Sequence, residues 1–87
     1  MRAVITVIGK DMVGILAKVS TTCAEANANI LEVTQSILQE YFAMVMLIDI
    51  SKMSCGLDVL KKNMMNNVPK MTIHVMHEDI FNSMHRI

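Results

Sequence analysis

Apolar and polar positions along the chain fall into blocks with different periods. Residues 2–8 (RAVITVI) are rich in β-branched types and apolar at odd and even positions alike, as a strand covered on both faces requires. From Ile15 to Ala26 the apolar residues Ile15, Leu16, Val19, Cys23 and Ala26 recur at helical spacing, and Asn27 suits a left-handed helix end. Residues 30–38 (ILEVTQSIL) alternate instead, with Leu31, Val33 and Ile37 on one side and Glu32, Thr34 and Ser36 on the other. That pattern predicts a half-wet strand at a sheet edge. Residues 42–50 (FAMVMLIDI) are almost wholly apolar and predict a second central strand, paired with its predecessor through a short hairpin turn. Ser54 is placed to cap a second helix running to Asn66, with Asp58 in its first turn and Leu57, Leu60 and Met64 on its inner face. Pro69 bars continuation of that helix, and residues 70–76 (KMTIHVM) form a fourth strand.

The order β-α-β-β-α-β predicts an α+β, ferredoxin-like fold, a four-stranded antiparallel sheet with the first and third strands in the middle. Right-handed crossovers place both helices on one face, leaving the other open to water. Yet in the third strand Ala43, Val45 and Leu47 are as apolar as Phe42, Met44, Met46 and Ile48, so the tail or a second subunit has to cover that face. The tail, residues 78–87, carries Ile80, Phe81, Met84 and Ile87 at helical spacing, with Glu78 and Asp79 at its start and His85 and Arg86 at its end. It predicts a short C-terminal helix that must dock, within the chain or across an interface, to be stable.

Length changes the picture by confining all this to one small domain, residues 1–77, followed by the tail. At 53% hydrophobic residues, 18% charged and a mean hydropathy of +0.42, the chain is more apolar than so small a domain can bury alone. Zero formal net charge gives no field for nucleic acid or an anionic membrane. No apolar run approaches the roughly 18–20 residues of a spanning helix, and MRAVITVIG stops too early for a signal peptide, so a cytoplasmic protein is expected. Cys23 and Cys55 lack a CxxC spacing and are expected to stay reduced.

Candidate chemistry is sparse. Gly9 and Gly14 copy the glycine spacing of a P-loop, but Ile15 and Leu16 stand where lysine and a hydroxyl residue are needed, which excludes nucleotide hydrolysis. Asp11 is placed to cap the first helix, making Gly14 its third residue, where glycine costs about 1 kcal/mol relative to alanine. Either close helix–strand packing or close approach of a ligand to the helix N–H groups, which favour a carboxylate, explains it. His74, His77 and His85 with Glu78 have no metal-ligand spacing, and the ten methionines fit a core or an adaptable interface, so neither metal nor cofactor is expected. The first strand has no aromatic residue for stacking RNA bases, and only Phe42 beside Tyr41 serves the third. No serine or cysteine has a base near it in sequence, so there is no catalytic residue to name. Cys55, at a helix start, is the one thiol to watch.

DMVGILAKVS followed by NANILEVTQ resembles the ACT domain, a small amino-acid-binding regulatory module with an Asp-x-x-Gly-[Ile/Leu]-Leu opening of its first helix and an Asn-Ile start to its second strand. The resemblance spans residues 1–77. MRAVITVIGKD, YFAMVMLIDIS and HEDIFNSMHRI are similar, more specifically, to the stand-alone single-domain ACT proteins of bacteria and archaea, a family of unknown function. Met12 and Val13 depart from the basic residue and proline of many ACT domains, which bears on the rigidity of the loop and on its ligand. The resemblance implies subunits paired side by side and an effector at their interface. The pocket it implies is lined by Gly9, Lys10, Asp11, Met12, Val13 and Gly14 of one chain and by Asn29 and Ile30 of another. There an α-carboxylate would meet N–H groups around Val13 and Gly14, an α-ammonium would face Asp11, and the Asn29 amide would donate and accept. Asp11 as a plain helix cap and Asn29 as a plain turn residue remain equal alternatives. The expectation is a non-enzymatic homodimer or tetramer that senses an amino acid or small carboxylate and is read by a protein effector. The alternative is a ligand-free, ACT-shaped protein-interaction module.

Overall fold

In the computed structural model, which describes residues 1–10 and 14–84, the elements follow in the order β1 (Arg2–Gly9), α1 (Ile15–Glu25), β2 (Asn29–Leu38), β3 (Tyr41–Asp49), α2 (Leu57–Asn67), β4 (Thr72–His77) and α3 (Glu78–Met84). The sheet runs β2-β3-β1-β4 with every neighbouring pair antiparallel. The two strands that are apolar at both parities are the two central ones, as the ferredoxin-like order requires.

One face of the sheet carries the core. Ala3, Ile5 and Val7 of β1 and Phe42, Met44, Met46 and Ile48 of β3 are buried against Ile15, Val19 and Cys23 of α1 and Leu60 and Met64 of α2. Both helices therefore lie on this face. Met44, Met46 and Met64 are wholly excluded from solvent, so methionine serves here as a flexible core filler. The Cys23 Sγ lies 4.0 Å from the Met46 Sδ. Burial pushes the Cys23 thiol up from 9.0 to about 11, which keeps it protonated and inert at neutral pH. Cys55 is only half-buried. A thiol reagent at neutral pH is expected to label Cys55 alone in the folded chain, with Cys23 reacting only on unfolding; two fast equivalents would contradict this packing.

The opposite face pairs Val4 with Leu47, Thr6 with Val45 and Ile8 with Ala43. Val4 is buried at 3% exposure although it lies outside the main core, because α3 packs over β1 and β4 at that end. An ion pair of 2.7 Å between Arg2 and Glu78 ties the first residue of α3 to β1. The tail helix thus docks within its own chain over residues 78–84, while His85, Arg86 and Ile87 lie outside the described residues. Its cover is partial: Ile8 and Val45 remain exposed.

Helix ends and one strand refine the expectations from sequence. Asn27 does adopt the left-handed conformation, at φ 59°, and α1 closes with the Asn27 N–H on the Ala24 carbonyl at 3.0 Å and the Ala28 N–H on the Cys23 carbonyl at 2.9 Å. This paired pattern is the Schellman motif. Ser54 does not cap α2. Its N–H and hydroxyl both bond the Ala26 carbonyl, at 2.9 and 3.2 Å, and α2 starts after an extended Gly56. Leu31 does not share a face with Val33. A bulge between Ile30 and Glu32 adds one residue, so Ile30 and Val33 pair with Ile48 and Met46 on the core side while Leu31 is left exposed.

Candidate functional site

The first half of the expected site is the β1–α1 junction. β1 ends at Gly9, where a Cβ would overlap the Met71 side chain, so glycine lets Met71 close over the strand end. Gly14 has a different task from the one expected. It is the N-cap of α1, one residue before the helix, with φ 72° in the left-handed region. No described residue lies within 4 Å of where its Cβ would point, and the left-handed backbone conformation by itself demands the glycine. The cap position therefore belongs to Gly14 and not to Asp11. Asp11, Met12 and Val13 themselves lie outside the described residues.

No side chain among the described residues caps the start of α1, and its first turn holds no acid. The first N–H groups of α1 and the positive end of the helix dipole favour an anion there. Beside this junction a cleft of about 630 Å³ runs along the rim of the sheet, lined in part by Lys10, Ile15, Lys18, Tyr41, Lys70 and Met71. Lys10 holds its Nζ 5.7 Å from the centre of the Tyr41 ring.

The second half of the expected site is at the other end of the sheet. Asn29 pairs with Asp49, and Asp49 with Arg2, while Gly9 pairs with Phe42 at the far end of the same ladder. Seven residues of extended chain separate the two ends by about 23 Å. One protomer therefore does not bring Asn29 to Gly14. Ile30 turns partly into its own core, against Ile48.

Asn29 borders a second cleft of about 470 Å³ with Asn27, Asp49, Ser51 and Lys52. Of these neighbours, Asp49, Ser51 and Lys52 carry no signal in the sequence reading above. The spacing Asp-x-Ser after a strand is the signal that would have found them, because a carboxylate commonly accepts from the N–H two residues on. The Ser51 N–H donates to Asp49 Oδ1 at 2.9 Å, and the N-terminal ammonium donates to the Ser51 hydroxyl at 3.0 Å. Hydrogen bonds from Ser51 hold the Asp49 carboxyl below its ordinary value.

Comparison with known proteins follows from this geometry. Residues 2–77 match the sequence model of the ACT domain. The UPF0237 protein of Clostridium perfringens is 51% identical over 89 residues, covering all of both chains. The UPF0237 protein of Methanocaldococcus jannaschii is 46% identical over 88 residues, 99% of this chain and 98% of that one. Among solved structures, an ACT domain protein from Streptococcus pneumoniae matches with a TM-score of 0.79 and 34% identity over 93% of each chain. No helix among the described residues is long and apolar enough to cross a membrane.

Proposed function

The chain belongs to the ACT-domain family, and from that premise we propose that it is a regulatory module binding an amino acid or similar small carboxylate between two copies of itself. Gly9, Lys10 and Gly14, with Asp11, Met12 and Val13 between them, form one wall, and Asn29 and Ile30 of the partner subunit form the other. The observation that carries this reading is the start of α1 behind a left-handed glycine, with no side-chain cap among the described residues and no acid in the first turn of the helix, a place suited to a carboxylate.

The sheet edge supports the assembly. β2 is a terminal strand of ten residues with Leu31 46% and Ile37 62% exposed, and past its bulge at Ile30–Glu32 it carries neither charge nor proline to blunt the edge. Pairing β2 with its copy about a two-fold axis reverses strand direction. That operation carries Asn29 of each chain toward the end of the sheet that holds Gly9 in the other. Ligand bound at both joins then favours one relative placement of the subunits over another, and a protein effector reads the difference.

Light scattering at micromolar concentration is expected to give a dimer or tetramer, unchanged in the Asn29→Ala variant. A folded monomer would overturn the reading. A second reading, a ligand-free interaction module, draws on the exposed Ile8 and Val45 of the open face and Ile80 of α3. Under it every amino acid leaves the melting temperature unmoved.

A further inference from the structure

The rim cleft beside the β1–α1 junction is unusual in its charge. The chain is neutral, with eight basic and eight acidic residues, yet three of the eight basic side chains, Lys10, Lys18 and Lys70, line this one cleft, and no carboxylate among the described residues does. Among the described residues the one ion pair joins Arg2 to Glu78, at the opposite end of β1, so none of these three lysines is neutralised by a described partner. The start of α1, with no acid in its first turn and no side-chain cap among the described residues, adds its dipole to the same rim.

Lys70 supplies an independent observation. It sits in the turn before β4 with φ 71°, a left-handed conformation in which glycine would be unstrained and lysine is not. Lys70 is thus a strained residue on the lining of a cleft, which is a pointer to a role there. The cleft, at about 630 Å³, is within the range of small-molecule sites. Ile15 and Met71 give it an apolar floor and Tyr41 a wall against which Lys10 is held.

We propose that this cleft binds a small anion carrying two or more negative charges, whose carboxylate or phosphoryl oxygens are shared among Lys10, Lys18 and Lys70. A single carboxylate leaves at least one lysine without a counter-charge, so affinity rises with ligand charge. The site is built from the α2–β4 turn as well as the β1–α1 junction and needs neither Asn29 nor a second protomer. It shares Lys10 and the start of α1 with the interface pocket and differs from it in drawing on no residue of a partner.

The test is calorimetric titration with citrate and inorganic pyrophosphate, against acetate and glycine as controls. Citrate or pyrophosphate is expected to bind once per protomer, at least tenfold more tightly than acetate, and to weaken as salt is raised. Whichever of the two is tighter assigns the anionic group. Lys70→Gln is expected to lower affinity about fivefold, the effect of one nearby charge in a solvated cleft. Lys70→Gly should lose as much affinity while its melting temperature stays level or rises, because glycine relieves the backbone strain. Lys62→Gln, exposed on α2 and outside the cleft, is expected to leave binding unchanged. Asn29→Ala is expected to do the same, which separates this site from the interface pocket. Binding of the polyanions no tighter than acetate, or equal losses from Lys62→Gln and Lys70→Gln, would overturn the proposal.

Discussion

Saturation with its amino-acid ligand is expected to raise the melting temperature of this protein by about 10–20 °C. A ligand at about 100 times its dissociation constant adds roughly 2.7 kcal/mol to the folded state, and each kcal/mol moves the midpoint of so small a domain by about 4–8 °C. The variants separate ligand contact from fold. Asn29 is exposed, so Asn29→Ala is expected to leave the unliganded stability within about 0.5 kcal/mol while removing the ligand-induced rise. Gly14→Ala is expected to lower the unliganded stability as well, by about 1–2 kcal/mol, because alanine is strained in the left-handed region. It also disturbs the first N–H groups of α1 and so removes the rise. Thermal unfolding of the three proteins against the twenty amino acids checks this, and a full ligand response in Asn29→Ala would contradict it.

Met46→Ala is expected to cost about 2–5 kcal/mol, a large share of the 5–15 kcal/mol that holds a typical domain folded. Met46 is wholly buried in the middle of a central strand, pairs with Ile5 and Val33, and touches the Cys23 sulfur. Truncation leaves a cavity among rigid strands that cannot collapse to fill it. Met46→Leu keeps the volume and is expected to cost less than about 1.5 kcal/mol. Urea unfolding distinguishes the two, through the midpoint at constant slope. Equal losses from both substitutions would mean that the sulfur itself, and not the volume, is required.

Much of the fold is legible in sequence because one face of the sheet is buried. The double-parity apolar runs of β1 and β3 have only one consistent place, the centre of the sheet, and the helical spacing of Val19, Cys23, Leu60 and Met64 fixes which sides of α1 and α2 meet it. Local exceptions escape the pattern for definite reasons. Leu31 follows the alternation of its strand in sequence but not in space, because a bulge shifts parity without leaving a compositional mark. Ser54 has the chemistry of a helix cap, and a tertiary partner, the Ala26 carbonyl, takes it instead.

The candidate site is legible to a different degree. Gly14 stands out as a glycine near a helix start, but whether it serves packing, a ligand or a left-handed backbone depends on a dihedral angle that one sequence does not encode by itself. Lys70 and Lys18 are invisible as site residues, since only the folded chain brings the α2–β4 turn beside the β1–α1 junction. Asn29 and Gly14 are recognisable through family resemblance, and their separation along the sheet makes a second chain necessary if they are to share a ligand.

That necessity is the central claim, and complementation between two defective variants tests it most directly. Gly14→Ala and Asn29→Ala are unfolded together in equal amounts, refolded, and titrated with the amino acid that stabilises the wild type. If each pocket is built from two chains, mixed dimers hold one intact pocket and one doubly altered pocket, and random pairing restores binding to about a quarter of all sites. Binding that stays absent in the mixture, or a wild-type pocket retained by either variant alone, would contradict a site shared between subunits.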